Sequence, residues 1–134
     1  MQVVYALEPD LPAEAFRGIL VASTLGERRS DYDIQRLECM LRNADLIVTA
    51  RLGDRLVGMA RAITDFAYCC YLSDVAVDVA YQRRGIGQRL IEETRARAGE
   101  CTSVVLIAAP AAAAYYPKIG MKQVTSCWMI SRAR

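Results

Sequence analysis

The residues best suited to chemistry stand at Gln82-Arg83-Arg84-Gly85-Ile86-Gly87, a few residues behind the strand-like run Val75-Ala76-Val77. Two glycines at this spacing let the backbone approach a ligand that a Cβ would hold away. An amphipathic stretch opens behind them. The first N–H groups of a helix lack internal partners and carry partial positive charge. Arg83, Arg84 and Arg89 add full charge at the same corner. Such a turn suits phosphate, and the pyrophosphate of a cofactor is the expected guest. A dinucleotide fingerprint fits less well, because Leu90 stands where its third glycine belongs, and the Gly-Lys-Ser/Thr of a P-loop is absent.

The chain has five cysteines and no histidine. Without histidine the usual general base and the Ser–His and Cys–His pairs are excluded. Chemistry must then use carboxylates, tyrosine, backbone or water. No Cys-x-x-Cys occurs, so no metal site is expected and the cysteines read as small hydrophobes in a reducing compartment.

These groups must be positioned by a fold of 134 residues, 54% apolar and 24% charged, which suits one globular domain over residues 1–134. A net charge of +2 without an aromatic stripe gives no footprint for nucleic acid. No apolar run reaches the ~18 residues of a membrane span. Met1-Gln2-Val3-Val4-Tyr5 shows no secretory pattern, so the expected compartment is the cytoplasm.

Val3 to Leu7 reads as a first strand. Asp10 and Pro12 start a helix carrying Phe16, Ile19 and Leu20, and Ser30-Asp31-Tyr32-Asp33 resembles a capping box before Ile34, Leu37 and Leu41. The period then changes to that of strands: Leu46–Ala50 and Leu56–Ala60 flank a Gly53-Asp54 hairpin turn, and Cys69–Val77 leads into the glycine motif. Ile86, Leu90, Ile91, Thr94 and Ala98 lie on one face of a helix that Gly99 ends. Val104–Ala108 is an apolar strand, parallel to Cys69–Val77 across this βαβ unit. An alanine-rich helix over Ala111–Lys118 and a strand near Ser126–Ile130 complete the order β-α-α-β-β-β-α-β-α-β, a mixed α/β domain.

Three segments in this order resemble the GCN5-related N-acetyltransferase (GNAT) superfamily. Gln82 to Gly87 is similar to its Gln/Arg-x-x-Gly-x-Gly/Ala turn for the coenzyme A pyrophosphate. Leu72-Ser73-Asp74-Val75-Ala76-Val77-Asp78 resembles the strand that pairs with the pantetheine arm. Tyr115-Tyr116-Pro117-Lys118-Ile119-Gly120-Met121 resembles its C-terminal tyrosine signature. The resemblance implies an acyl-CoA N-acyltransferase fold, a mixed sheet of about six to seven strands with about four helices, and acetyl-CoA as cosubstrate without a metal.

It also implies roles. Val75, Ala76, Val77, Gln82, Arg83, Arg84, Gly85, Ile86, Gly87 and Gln88 bind the cofactor, with amides of Val75 and Val77 against the thioester and pantetheine. Tyr116 protonates the leaving thiolate, and Tyr115 packs. From the residues themselves, Asp74 is the nearest acidic candidate for the base, or else caps a turn or pairs with an arginine, with Asp65 and Glu27 as candidate rim residues. Two positions depart from the family: Ala109 where a pantetheine-binding Asn is common, and Met121 for Phe.

The implied function is acetyl transfer to a small-molecule or peptide amine. The alternative is a non-catalytic acyl-CoA-binding module or sensor. Acceptor specificity falls to the segments near Ser23–Asp31 and Thr64–Tyr68. There Glu27, Asp31 and Asp65 suit a cation, whereas Arg28, Arg29 and Arg61 suit an acid. The last strand, with Trp128 and Met129, is a candidate homodimer edge.

Overall fold

The computed structural model describes residues 2–24 and 31–134. Strands β1 (Val4–Leu7), β2 (Leu46–Leu52), β3 (Arg55–Thr64), β4 (Cys69–Val77) and β5 (Ser103–Val105) form one sheet in the order β1-β2-β3-β4-β5. All neighbours are antiparallel except β4 and β5, which are parallel. Side chains alternate across this sheet. Ile47 and Met59 meet Phe16, Leu20, Leu37 and Leu41 of α1 (Ala13–Ser23) and α2 (Ile34–Arg42). On the other face, Val48, Ala60 and Ala62 join the cluster built on α3 (Ile86–Ala98).

The buried side of α3 is Ile86, Leu90, Ile91, Thr94 and Ala98, the face expected from its period. Each fully buried Leu or Ile stabilises this packing by roughly 1.5–3 kcal/mol. Gly58 of β3 brings the helix close: a Cβ there would stand 3.1 Å from Leu90 and 3.2 Å from Ile86. The missing side chain seats the start of α3 against the sheet, beside Val77, which fixes the glycine turn at the end of β4.

Two features of β4 open the molecule. Its register pairs Asp74 with Arg61 but Leu72 with Ala62, so Ser73 is the extra residue of a bulge, and a bulge bends the strand that carries it. On its other side β4 pairs with β5 only through Cys69, Cys70 and Tyr71. Beyond them the parallel neighbours diverge, and the wall from Leu72 to Val77 has no β5 ladder partner.

The C-terminal part differs from expectation. Among the described residues there are five strands rather than six or seven, because Ser126–Ile130 finds no ladder partner in the single chain, and a lone strand is not stable. β5 stops at Val105, short of Ala108. The helix expected over Ala111–Lys118 is a 3₁₀ turn at Pro110–Ala112 and a single helical turn, α4 (Tyr115–Lys118), since proline stands at both ends of the alanine run. Earlier, α2 is capped by Asp33, whose carboxylate accepts the N–H of Arg36 at 2.8 Å; Ser30 lies outside the described residues.

Candidate active site

The turn ahead of α3 has the backbone shape that an anion needs. Gln82 is extended, Arg83 has φ 65° and Gly85 has φ 83°. Left-handed residues beside a helix start aim successive N–H groups into one concavity. Arg83 adopts this conformation despite its Cβ, a strain of the kind stored at ligand sites. Among the described residues no side chain caps the helix from Gly85. A cleft of about 590 Å³ runs from this turn along Val75 and Val77 to α4, with Arg83 and Lys118 as charged lining residues. Uncapped amides, two cations and an elongated apolar wall fit a pyrophosphate followed by a thioester arm.

Gln82, Arg83, Gly85, Ile86, Gly87 and Gln88 all line this cleft. The Gln82 side chain, however, donates to the carbonyls of Val77 (2.9 Å) and Ser23 (3.3 Å), tying the turn to β4 and α1. Arg84 does not line the cleft; its guanidinium sits 5.4 Å from the Tyr81 ring centroid. Arg89 pairs with Glu93 at 2.9 Å and stands over Tyr5. Lys118 was not singled out from sequence, although it lies inside the tyrosine signature. Tyr115 does more than pack. Burial raises its phenol above the ordinary value, and its hydroxyl would stand 3.0 Å from a Cβ on Gly87.

A second, narrower pocket opens where β4 and β5 part. Ser73, Asp74, Ala76, Leu106 and Ala109 line it. Val75 and Tyr116 line both cavities, so Tyr116 stands at their junction. Burial, with a smaller contribution from Tyr115, raises the Tyr116 phenol above the ordinary value. The two rings meet edge to face, with centroids 5.4 Å apart.

Asp74 forms a buried ion pair. Its Oδ2 accepts the Arg61 Nε at 2.6 Å, while the Arg61 Nη atoms donate to Ser73 Oγ (2.9 Å) and the Met40 carbonyl (3.3 Å). Arg61 is therefore engaged within the protein and is not offered to an acidic acceptor. Glu27, Arg28 and Arg29 lie outside the described residues. Among the described residues no cluster of His, Cys, Asp or Glu could hold a metal ion.

Asp65 forms the β3–β4 turn. Its Oδ1 accepts the N–H groups of Ala67 (2.9 Å), Tyr68 (2.8 Å) and Cys69 (3.1 Å), which hold its carboxyl down at about 2. A depressed carboxyl stabilises the fold above its unfolded value near 4, and the contribution is lost as pH falls toward 2. The Asp65→Ala variant is expected to have a lower urea midpoint at pH 6 and a smaller fall in that midpoint between pH 4 and pH 2. Equal pH slopes for the two proteins would show that the turn does not depend on this charge.

Residues 13–121 match the model of the acetyltransferase (GNAT) family. The chain belongs to this family. It is 51% identical over 39 residues to a histone acetyltransferase of Glycine max, a match covering 29% of this chain and 17% of that protein. It is 26% identical over 93 residues to an uncharacterized N-acetyltransferase of Pyropia yezoensis, covering 65% of this chain and 53% of the relative. The chain thus spans about a sixth to a half of the curated relatives it matches. A structure of a probable acetyltransferase from meticillin-resistant Staphylococcus aureus superposes with a TM-score of 0.80 at 26% identity, covering 98% of this chain and 99% of the other.

Proposed function

We propose that the protein is an acetyl-CoA-dependent N-acetyltransferase acting on an amine, small molecule or peptide. One observation carries the reading: Tyr116 lines both the cleft that begins at the phosphate-type turn and the pocket beside Asp74. The long cleft takes the cofactor, the narrow pocket takes the amine, and the thioester meets the amine at Tyr116.

The amine attacks the thioester carbonyl, forming the C–N bond as the C–S bond breaks. Backbone N–H groups of the Val75–Val77 wall stabilise the developing oxyanion. Tyr116 gives its phenolic proton to the departing sulfur and regains one from solvent. Asp74, fixed by Arg61, is the carboxylate assigned to the proton that the amine loses, passed on through water. Arg83, Lys118 and the amides at the start of α3 hold the pyrophosphate.

Calorimetric titration with acetyl-CoA tests this assignment. Micromolar binding is expected for the wild type. In Gly87→Glu, where a side chain must enter beside Tyr115, affinity is expected to fall by at least about 100-fold, or ~2.8 kcal/mol. No binding at millimolar acetyl-CoA would overturn the reading. Tight binding without thiol release across a panel of amines would make the protein an acyl-CoA-binding module instead.

A further inference from the structure

Gln82 opens the glycine turn, yet the donors of its side chain are spent within the protein. A primary amide has two N–H donors. The Gln82 Nε2 atom meets the Val77 carbonyl at 2.9 Å and the Ser23 carbonyl at 3.3 Å. Both partners are carbonyl oxygens, which only accept, so the nitrogen and not Oε1 must face them. What remains to this side chain is an acceptor, and an acceptor cannot hold a phosphate oxygen.

The two carbonyls belong to different walls. Val77 ends β4 and lines the long cleft. Ser23 ends α1, 59 residues away along the chain, and is fully buried. The last carbonyls of a helix have no partner within its regular ladder. Here Ser23 Oγ donates to the Leu20 carbonyl at 2.9 Å, the Thr24 N–H turns to the Val21 carbonyl at 3.3 Å, and Gln82 takes the carbonyl of Ser23. Thr24 is left-handed at φ 61°, so the helix stops at this point and these contacts hold its end in place. About one turn earlier, Leu20 lines the narrow pocket.

We propose that Gln82 is a positioning residue whose side chain clamps the end of α1 to the end of β4, so that filling the phosphate turn fixes the α1 wall of the narrow pocket. The next residue, Arg83, is the strained one at φ 65°. An anion held by the amides from Arg83 onward immobilises the backbone of Gln82, and with it both bonds of the side chain. The coupling is reciprocal: whatever orders the end of α1 also favours the turn that the anion needs. It requires no large displacement, only less local opening at the helix end. The consequence for the amine rests on the proposed acetyl transfer; the clamp itself does not.

Hydrogen–deuterium exchange of the full chain, read over residues 16–24 with and without acetyl-CoA, tests the clamp. Saturating acetyl-CoA is expected to slow exchange at the end of α1 by at least about fivefold in the wild type. Gln82→Met keeps the length of the side chain and removes its donors. It should exchange faster there without ligand, and acetyl-CoA should no longer slow it, while β2 in the core exchanges as in the wild type. Gln82→Arg, whose guanidinium restores the donors, should recover the slowing, a rescue that a space-filling role would not show. Equal ligand-free rates over residues 16–24 in wild type and Gln82→Met overturn the clamp, and weakened acetyl-CoA binding in that case would place the side chain on the ligand instead. A wild type saturated with acetyl-CoA and unchanged at the end of α1 also overturns it, a result that needs no variant to fold. A wild type that binds no acetyl-CoA overturns the proposed function instead, and the ligand-free comparison then decides the clamp alone.

Discussion

Replacing Tyr116 with phenylalanine is expected to lower kcat by about 10²–10⁴-fold, the range for loss of one positioned acid, while leaving the Kd for acetyl-CoA within about twofold. The ring is retained, so the edge-to-face contact with Tyr115 and the walls of both cavities persist. Only the proton is removed. A thiol near ~8.5 is a stronger acid than a phenol near ~10, so the transfer is mildly uphill and leans on the charge that gathers on sulfur as the C–S bond breaks. Burial raises this phenol further, so it is protonated at neutral pH. The same shift fixes a sign. The stability that comes from a neutral Tyr116 is present below the unfolded value near ~10 and is lost as pH climbs through the higher folded value. Wild-type kcat should therefore show no alkaline fall from this group below about pH 10. A Tyr116→Phe enzyme with turnover within about twofold of wild type would remove the proton-donor role.

What could be read from sequence was what depends on neighbours along the chain. β4 begins and ends at Cys69 and Val77 as expected, and α3 buries the five residues that its period places on one face. The Gly53 turn falls where the two alternating runs meet, with the positive φ that its glycine permits. Contacts decided by distant partners were not legible. The chemistry of Gln82 suggests a ligand contact, yet its amide is taken by the carbonyls of Val77 and Ser23, and nothing local to Gln82 announces Ser23. Arg84 and Arg89 share charge with Arg83 but are drawn to Tyr81, Tyr5 and Glu93. The tail has the composition of a strand, but composition cannot supply the edge on which a strand must pair. Asp65 had the charge of a rim residue, and three backbone N–H groups of its own turn claimed it.

That Asp74 could pair with an arginine was legible, but that the arginine is Arg61 was not, because the bulge at Ser73 is what sets these residues opposite each other. The pair carries the largest stability effect expected in this molecule. Arg61→Met should destabilise the fold by about 3–5 kcal/mol, because the remaining carboxylate, with its side chain 1% exposed, loses the Arg61 guanidinium at 2.6 Å. For a domain of this size that is a fall on the order of 10 °C in Tm. The pair need not be stabilising in net terms, since desolvating two charges offsets much of their attraction. The double variant Arg61→Met/Asp74→Leu should therefore recover most of the lost Tm, by replacing a buried carboxylate that has lost the Arg61 guanidinium with apolar packing. A single variant melting within a few degrees of wild type would show that the ion pair is not isolated from solvent. The double variant also separates structure from chemistry at Asp74. If it is folded and binds acetyl-CoA like the wild type but turns over more slowly, with an altered pH profile, the carboxylate handles the amine proton. If its kcat and pH profile match the wild type, Asp74 serves only to fix the bulge that splays β4 from β5, and water alone takes the proton.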